Sequence, residues 1–187
     1  MTNIKELFNQ FSSYRAQRLV GILSSVFSGS ESLRHKKCLS IGGRTEGELL
    51  SLLSYGAKIK DITGIDLQTY SPLILPGDVT NLPFENNTFD CIVAGWVIHY
   101  VKNQEKAISE IIRVIRPNGY LALAISWYPE GHKYSNGDFA GGKNIKNTEE
   151  LLTLFESYKY TLLFNYDQST IDSSQVGDII LLFKVSK

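Results

Sequence analysis

Small and acidic residues that could hold a ligand follow several apolar runs of the chain. Gly42 and Gly43 come directly after one such run, where glycine permits positive φ and close approach of the backbone to a ligand. Asp66 ends another, where a carboxylate can accept hydrogen bonds from both hydroxyls of a ribose. A tight turn without a ligand explains the two glycines equally well, and a carboxylate that caps its own loop is the alternative for Asp66.

Two further segments have the same character. Asp78, in Gly77–Val79, could accept a hydrogen bond from the amino group of an adenine ring, although turns also use aspartate. In Ala94–Trp96 the small residues let the backbone approach a ligand, and the indole ring can form a wall. Together the segments indicate a site for a nucleoside-like ligand.

Alternating strands and helices are predicted to position these segments. We expect strands over residues 38–41, 59–65, 73–75, 89–97, 120–126, 160–166 and 178–185, and helices within 4–27 and over 46–55, 104–115 and 148–156. This order is typical of a doubly wound α/β sheet that is mostly parallel, with helices on both faces. The last two strands follow each other without a predicted helix, which favours an antiparallel edge. Ligands bind at the carboxyl ends of strands in such sheets.

The bulk properties fit a single domain of 187 residues. We divide it into an N-terminal helical cap over residues 1–30, a ligand-binding core over 38–126 and a substrate-side loop over 127–147. A formal net charge of zero argues against a nucleic-acid partner, and the apolar runs are too short to span a membrane. We expect a cytoplasmic protein with no metal site, in which Cys38 and Cys91 are core residues.

Three segments of the chain carry a resemblance to a known family. They are Gly77–Asp90, Trp96–Val101 and Ala107–Leu121. In these segments the chain closely resembles the small bacterial class I S-adenosylmethionine-dependent methyltransferases, and the resemblance extends over roughly residues 38–126. It implies a Rossmann-like sheet of seven strands whose last strand is antiparallel, and S-adenosylmethionine as the cofactor.

The resemblance also implies roles for single residues. Gly42 and Gly43 match the first cofactor loop, and Asp66 matches the acid that binds the ribose. The residues matched to the adenine ring are Leu67, Asp78 and Val79, and Ala94 matches the residue that faces the methionine part. Gly95 and Trp96 beside it complete the predicted cofactor-binding set. Asp90 matches an acid at the start of the fourth strand that we interpret as structural.

The chain departs from the family pattern in its first glycine loop. Ser40 stands where the family has an acid, and Arg44 and Glu46 replace two glycines. Glu46 would repel a pyrophosphate, whereas S-adenosylmethionine has no phosphate. We hypothesise that Arg44 pairs with the cofactor carboxylate and Glu46 with its ammonium or with Arg44. The alternative is an ion pair at the start of the helix that points to solvent and contributes little.

A second departure is the short connection of residues 67–72 between the second and third strands. A parallel crossover usually needs about a dozen residues or more. We therefore expect the helix between these strands to be shortened or missing, and the sheet to be thin at this edge.

The acceptor side offers several candidates for acid–base chemistry. A hydroxyl acceptor usually needs a general base, and His99, after the fourth strand, is the first candidate. The other candidates are Tyr100, Tyr128 and His132, and His99 could instead pack structurally. We expect the N-terminal helix around Tyr14 and the segment 127–147 to bound the acceptor pocket, unless that segment is only a mobile surface loop.

Three functions remain in competition at this point. The first is methyl transfer to a small molecule, such as a hydroxyl of a sugar or a secondary metabolite. The second is a degenerate, non-catalytic domain that acts through a partner, which the altered loop and the missing helix favour. The third is a nicotinamide-dependent oxidoreductase, which Glu46 disfavours because a dinucleotide carries a pyrophosphate.

Overall fold

The computed structural model describes residues 14–27, 33–135 and 142–187. Its strands are β1 Cys38–Ile41, β2 Ile62–Asp66, β3 Ile74–Pro76, β4 Phe89–Gly95, β5 Ile115–Trp127, β6 Lys159–Asp167 and β7 Gly177–Ser186. Its α-helices are α1 Tyr14–Ser24, α2 Gly47–Ser54, α3 Gln104–Val114, α4 Thr148–Thr153 and the short α5 Gln168–Ile171. Most of the expected helical cap lies outside the described residues, as does the centre of the expected 127–147 loop.

The strands form one seven-stranded sheet in the order β3-β2-β1-β4-β5-β7-β6. The first five strands are parallel, and β7 pairs antiparallel with both β5 and β6. The prediction of a doubly wound, mostly parallel sheet with an antiparallel last strand is therefore confirmed. The carboxyl ends of β1, β2, β3 and β4 meet at one edge, because these strands run in the same direction.

Apolar clusters cover both faces of the sheet. On one face α3 buries Ile108 and Ile111 against the sheet, and on the other α1 and α2 bury Leu19, Leu23 and Leu52. This alternation explains why β4 is almost wholly apolar, because each of its faces meets a helix. Cys38 and Cys91 are buried free thiols, which confirms them as core residues.

The ends of α3 and α4 follow their local sequence. Asn103 caps α3 by accepting a hydrogen bond from the Lys106 amide at 2.9 Å. Asn147 accepts from the Glu150 amide at 2.8 Å, and the Glu150 carboxylate accepts in turn from the Lys146 amide. This is a capping box whose return bond comes one residue earlier than usual.

Several predicted boundaries are wrong. Strand β2 begins at Ile62 rather than at residue 59, β4 ends at Gly95 rather than at residue 97, and α4 ends at Thr153 rather than at residue 156.

Strand β5 begins at Ile115 rather than at residue 120, because Ile115 pairs with Phe89 before the register shifts. Pro117 and the positive φ of Asn118 lie inside this strand, and in the sequence they resemble a terminator. The short α5 stands between β6 and β7, where no helix was expected.

The thin sheet edge is present. Residues 67–73 are all described and contain no helix, and β3 consists of three residues. The exposed side chains of Leu67, Leu73 and Leu75 remain where a covering helix would lie.

Candidate functional site

A cavity of about 1010 Å³ opens at the carboxyl ends of β1 and β2. The predicted residues in its wall are Gly42, Arg44, Asp66, Leu67, Asp78, Val79, Trp96 and Tyr100. The residues of the sequence-based set that do not line it are Gly43, Glu46, Ala94, Gly95 and His99. One cavity therefore joins the ends of four strands, β1 to β4, that are far apart in the sequence.

The first glycine loop crosses the end of β1 in a conformation that needs glycine. Gly42 has a φ of +81°, and a Cβ there would lie 2.6 Å from Cβ of Val97. Its amide donates to the Ile65 carbonyl oxygen at 2.9 Å, which fastens the loop to β2. Arg44 also has positive φ, at 43°, although glycine is the residue that adopts it at low cost.

Asp66 fastens the loops on both sides of it. Its Oδ2 accepts from the Arg44 amide at 2.8 Å, and its Oδ1 accepts from the Gln68 amide at 2.9 Å. A carboxylate has about four acceptor positions, so one position on each oxygen remains for a ligand hydroxyl. Asp66 thus caps its own loop, which was the alternative interpretation of the sequence, and it can still accept hydrogen bonds from a ribose.

The segment with Asp78 and Val79 is held rigidly by α3. Asp78 accepts from the Thr80 amide at 2.8 Å in a local turn, and Val79 is buried. Downstream, Glu110 accepts from the Leu82 amide at 2.9 Å, and Arg113 donates to the Leu82 and Phe84 carbonyl oxygens. The hydrogen bonds from the Arg113 guanidinium and the Leu82 amide lower the pKa of Glu110 to about 2. A partly exposed ion pair therefore anchors this loop.

Trp96 forms the opposite wall. It has a φ of 54°, and its indole Nε1 donates to Asp178 at the start of β7 at 2.7 Å. Arg18 of α1 donates to the same carboxylate at 2.7 Å, and the Arg15 guanidinium lies 4.9 Å from the centre of the Trp96 ring. These contacts between α1, β7 and the residue after β4 fix the indole in the cavity wall.

Arg44 and Glu46 do not form the expected pair. The ion pairs within the described ranges involve neither residue. The Ser71 side chain and its own backbone amide lower the pKa of the Glu46 carboxyl, so Glu46 faces the segment before β3 rather than Arg44. Arg44 lines the cavity, and its role toward a cofactor stays a prediction.

Glu48 is a buried acid at this site that the sequence interpretation missed. Its Oε2 accepts a hydrogen bond from the Ser40 hydroxyl at 2.5 Å, and its side chain lies against Gly95. Burial raises the pKa of Glu48 to about 8. Two features of the sequence could have indicated this acid. A glutamate lies on the leucine-rich face of α2, and β1 has serine where the family has an acid.

His99 and Tyr100 lie in a short turn after β4, with ring centres 4.2 Å apart. His99 is 1% exposed, and burial lowers its pKa to about 4. Tyr100 is 48% exposed and lines the cavity, and burial raises the pKa of its phenol. The structure therefore presents Tyr100, rather than His99, to a molecule in the cavity.

Aromatic side chains continue from Tyr100 into the segment after β5. Tyr128 stacks on His132 at 4.9 Å and meets the edge of Tyr134 at 5.5 Å. Burial, and after it electrostatic interaction with Tyr128 and Tyr134, raise the pKa of Tyr100. Tyr14 is exposed at the start of α1, and Phe139 lies outside the described residues.

No α-helix in the described part of the chain is long and apolar enough to cross a membrane.

Comparisons with known proteins agree with the fold. The family model of the methyltransferase domain matches residues 39–123, which include β1 to β4 and most of β5. The chain is 30% identical over 95 residues to the sterol 4-C-methyltransferase strm-1 of Caenorhabditis elegans, covering 44% of this chain and 28% of that protein. It is 27% identical over 126 residues to the ubiquinone/menaquinone biosynthesis C-methyltransferase of Blochmanniella pennsylvanica, covering 64% of this chain and 48% of that protein. The chain thus spans less than half the length of both relatives.

Solved structures share the fold at low sequence identity. A candidate sarcosine dimethylglycine methyltransferase from Galdieria sulphuraria superposes with a TM-score of 0.69 and 15% identity, covering 91% of this chain and 84% of that one. The [4+2]-cyclase SpnF superposes with a TM-score of 0.67 and 18% identity, covering 91% of this chain and 81% of that one.

Proposed function

Because the chain carries a methyltransferase domain of the class I S-adenosylmethionine-dependent family, we propose that it transfers a methyl group from S-adenosylmethionine to a small molecule. The observation that carries the proposal is the cavity that joins Asp66, Asp78 and the first glycine loop. Asp66 retains acceptor capacity for the ribose hydroxyls, and the exposed Asp78 can accept from the adenine amino group.

The charges at the start of α2 favour this cofactor over a dinucleotide. Glu46 stands at the N-cap of α2 and Glu48 in its first turn, where a pyrophosphate would otherwise bind. The charged Glu46 carboxylate there opposes a phosphate, whereas the amino-acid end of S-adenosylmethionine also carries a cation. This argument supports methyl transfer over the nicotinamide-dependent reaction.

The chain's contribution to the reaction is mainly positional. Bound S-adenosylmethionine supplies an electrophilic methyl group on a sulfonium, which an acceptor attacks as the carbon–sulfur bond breaks. Trp96 and Tyr100 would hold the acceptor in line, which is a large part of the catalysis available to such a displacement. The Tyr100 phenol is protonated at neutral pH, and burial raises its pKa further, so its hydroxyl can donate to the acceptor. His99 is neutral at pH 7, because burial lowers its pKa to about 4, and it stays our candidate base.

A small hydroxylated molecule is the acceptor class that we propose, with the rings of Tyr100, Tyr128 and Tyr134 as its walls. We further propose that the protein works in the cytoplasm.

Because relatives are named for methylation of a sterol and in quinone biosynthesis, an acceptor screen should include such ring compounds beside sugars. Transfer of a deuterated methyl group from labelled S-adenosylmethionine, followed by mass spectrometry, detects the product.

A thermal shift assay separates the three candidate functions. A ligand at a hundredfold over its dissociation constant stabilises a protein by about 2.7 kcal/mol. We expect S-adenosylmethionine and S-adenosylhomocysteine to raise the melting temperature and NAD to leave it unchanged. No shift with any of the three ligands would favour the non-catalytic domain, and a shift with NAD alone would favour the oxidoreductase.

A further inference from the structure

Glu48 is a buried acid with few hydrogen-bond donors. It is 6% exposed, and within the described residues Ser40 is the donor that reaches it, at Oε2. Buried Asp167, by comparison, accepts from the Thr148 amide and from both the amide and the hydroxyl of Ser169. A buried carboxyl that lacks partners is costly in its charged form, which is why burial dominates the raised pKa of Glu48.

The position of Glu48 relates it to the cavity. A Cβ on Gly95 would lie 2.3 Å from Glu48 Oε1, and a Cβ on Gly43 would lie 3.6 Å from Oε2. Gly43 follows β1, and Gly95 ends β4. These two paired strands lie beside the part of the cavity lined by Gly42 and Trp96. The carboxyl group therefore sits beside both strand ends, and at Gly95 the absence of a Cβ leaves room for it.

We propose that the Glu48 carboxylate binds the ammonium group at the amino-acid end of S-adenosylmethionine, with Ser40 holding it in place. This inference rests on the proposed function. Ser40 stands where related methyltransferases have an acid, so α2 supplies across the loop the negative charge that β1 lacks. Oε2 is engaged by Ser40, and Oε1, on the side of Gly95, is the atom that would accept from the ammonium.

The surroundings of Glu48 make the interaction depend on a proton. Asp66 from the end of β2 further raises the pKa of Glu48, Ser40 from β1 lowers it, and α1 contributes the apolar Leu19 beside Gly95. Arg15 and Arg18 of α1 are directed to Asp178. Without ligand Glu48 is therefore mostly protonated at pH 7, and an ammonium beside it favours the charged form. Binding should release about one proton from the protein.

The test compares two ligands that differ in the amino-acid end. S-adenosylhomocysteine carries the ammonium, and 5′-methylthioadenosine has the same nucleoside without it. Isothermal titration of Glu48→Gln, which keeps size and polarity, should show about 10- to 100-fold weaker binding of S-adenosylhomocysteine. Its affinity for 5′-methylthioadenosine should equal that of the wild type. Equal weakening for both ligands, or no change for either, would overturn the proposal.

A second test uses the wild type alone, and it remains available if the Glu48→Gln variant does not fold. Titrations at pH 7 in buffers of different ionisation enthalpy should show about one proton released with S-adenosylhomocysteine and none with 5′-methylthioadenosine. Absence of this difference overturns the role of Glu48 while the proposed function stands. A wild type that binds neither ligand refutes the proposed function itself.

A variant that returns the acid to β1 sharpens the result. In the double variant Ser40→Asp with Glu48→Gln, the new aspartate on β1 places a carboxylate near the position that the Glu48 carboxyl group occupies in the wild type. We expect it to recover part of the affinity for S-adenosylhomocysteine that Glu48→Gln loses. No recovery beyond the single variant would contradict the idea that the charge near Ser40 is what the ligand needs.

Discussion

Glu48 and Glu110 are both 6% exposed, yet their carboxyl groups are in opposite electrostatic states. Glu110 faces Arg113 at 2.7 Å and accepts from the Leu82 amide, and these partners lower its pKa to about 2. Glu48 has the Ser40 hydroxyl, and burial raises its pKa to about 8. Glu110 is thus compensated by a partly exposed arginine, whereas the more deeply enclosed Glu48 forms no ion pair within the described residues.

This difference separates an anchor from a binding group. A compensated buried charge is fully used within the protein, so Glu110 can only hold the loop that carries Asp78 and Val79. A buried carboxyl group without a partner can instead pair with a cation of a bound ligand. Such groups therefore tend to occur at binding sites. On the proposed function, the adenosine end of the cavity is formed before the ligand binds, whereas the amino-acid end is completed by the ligand.

The largest expected effect is on the anchor. Glu110→Gln should lower the free energy of unfolding at pH 7 by about 3 kcal/mol, because Arg113 then lacks its buried partner. The folded-state pKa of Glu110 lies below its ordinary value, so this contribution is present above pH 4.5 and lost as pH falls toward 2. Urea unfolding of the two proteins between pH 2.5 and 7 measures it. The exposed Glu105→Gln on the same helix is the control, and an equal loss there would contradict the anchor.

Glu48 should give the opposite pH dependence. Its folded-state pKa is raised, so the folded protein holds a proton that the unfolded chain loses, and stability falls between about pH 4.5 and 8. Relative to Glu48→Gln, the wild type should lose up to about 1.4 kcal/mol for each pH unit in this window. The difference in unfolding free energy between the two proteins at pH 5, 6.5 and 8 tests this. A difference that does not change with pH would remove the contrast between the two glutamates.

A substitution at Gly95 tests whether the Glu48 carboxyl group fills the space beside this glycine. Gly95→Ala should lower stability by about 1–2 kcal/mol, because the added Cβ would lie 2.3 Å from Glu48 Oε1. In the Glu48→Ala background that oxygen is gone, so most of the penalty should disappear. Thermal unfolding of the four proteins in this cycle gives the coupling. Equal penalties in both backgrounds would show that Glu48 does not occupy the space beside Gly95.

The smallest effect is expected for the exposed charge at the amino-acid end. Arg44→Ala should weaken S-adenosylhomocysteine binding by about 3- to 10-fold if the guanidinium pairs with the ligand carboxylate, since exposed pairs contribute little. Titration calorimetry at low and high salt measures the loss and its screening. Arg34→Ala, exposed and outside the cavity wall, is the control, and an unchanged affinity for Arg44→Ala would exclude the pairing.

The sequence predicted those parts of the site that depend on one strand and the residue after it. Asp66, Asp78 and Trp96 follow apolar runs, and the parallel sheet brings the ends of such runs together. The sheet with its antiparallel last strand was predictable for the same reason. The missing helix before β3 was also predictable, because it depends only on the length of one connection.

Features that depend on contacts between elements were not predictable. Glu48 is read from the sequence as one polar residue of a leucine-rich helix, and only its packing against Ser40 and Gly95 reveals a buried acid. The partner of Glu46 was unpredictable for the same reason, because Ser71 comes from the connection before β3. His99 follows β4 as the other site residues follow their strands, yet the turn directs it into the core and Tyr100 into the cavity.

Binding of S-adenosylhomocysteine to the wild type and to Asp66→Asn, by isothermal titration calorimetry, tests the central claim most directly. Asp66 has one acceptor position left on each oxygen, so we predict binding to the wild type and about 100-fold weaker binding to Asp66→Asn. Asp61→Asn, outside the cavity wall, should bind like the wild type. A wild type that does not bind this ligand, or an Asp66→Asn variant that binds it equally well, would contradict the account.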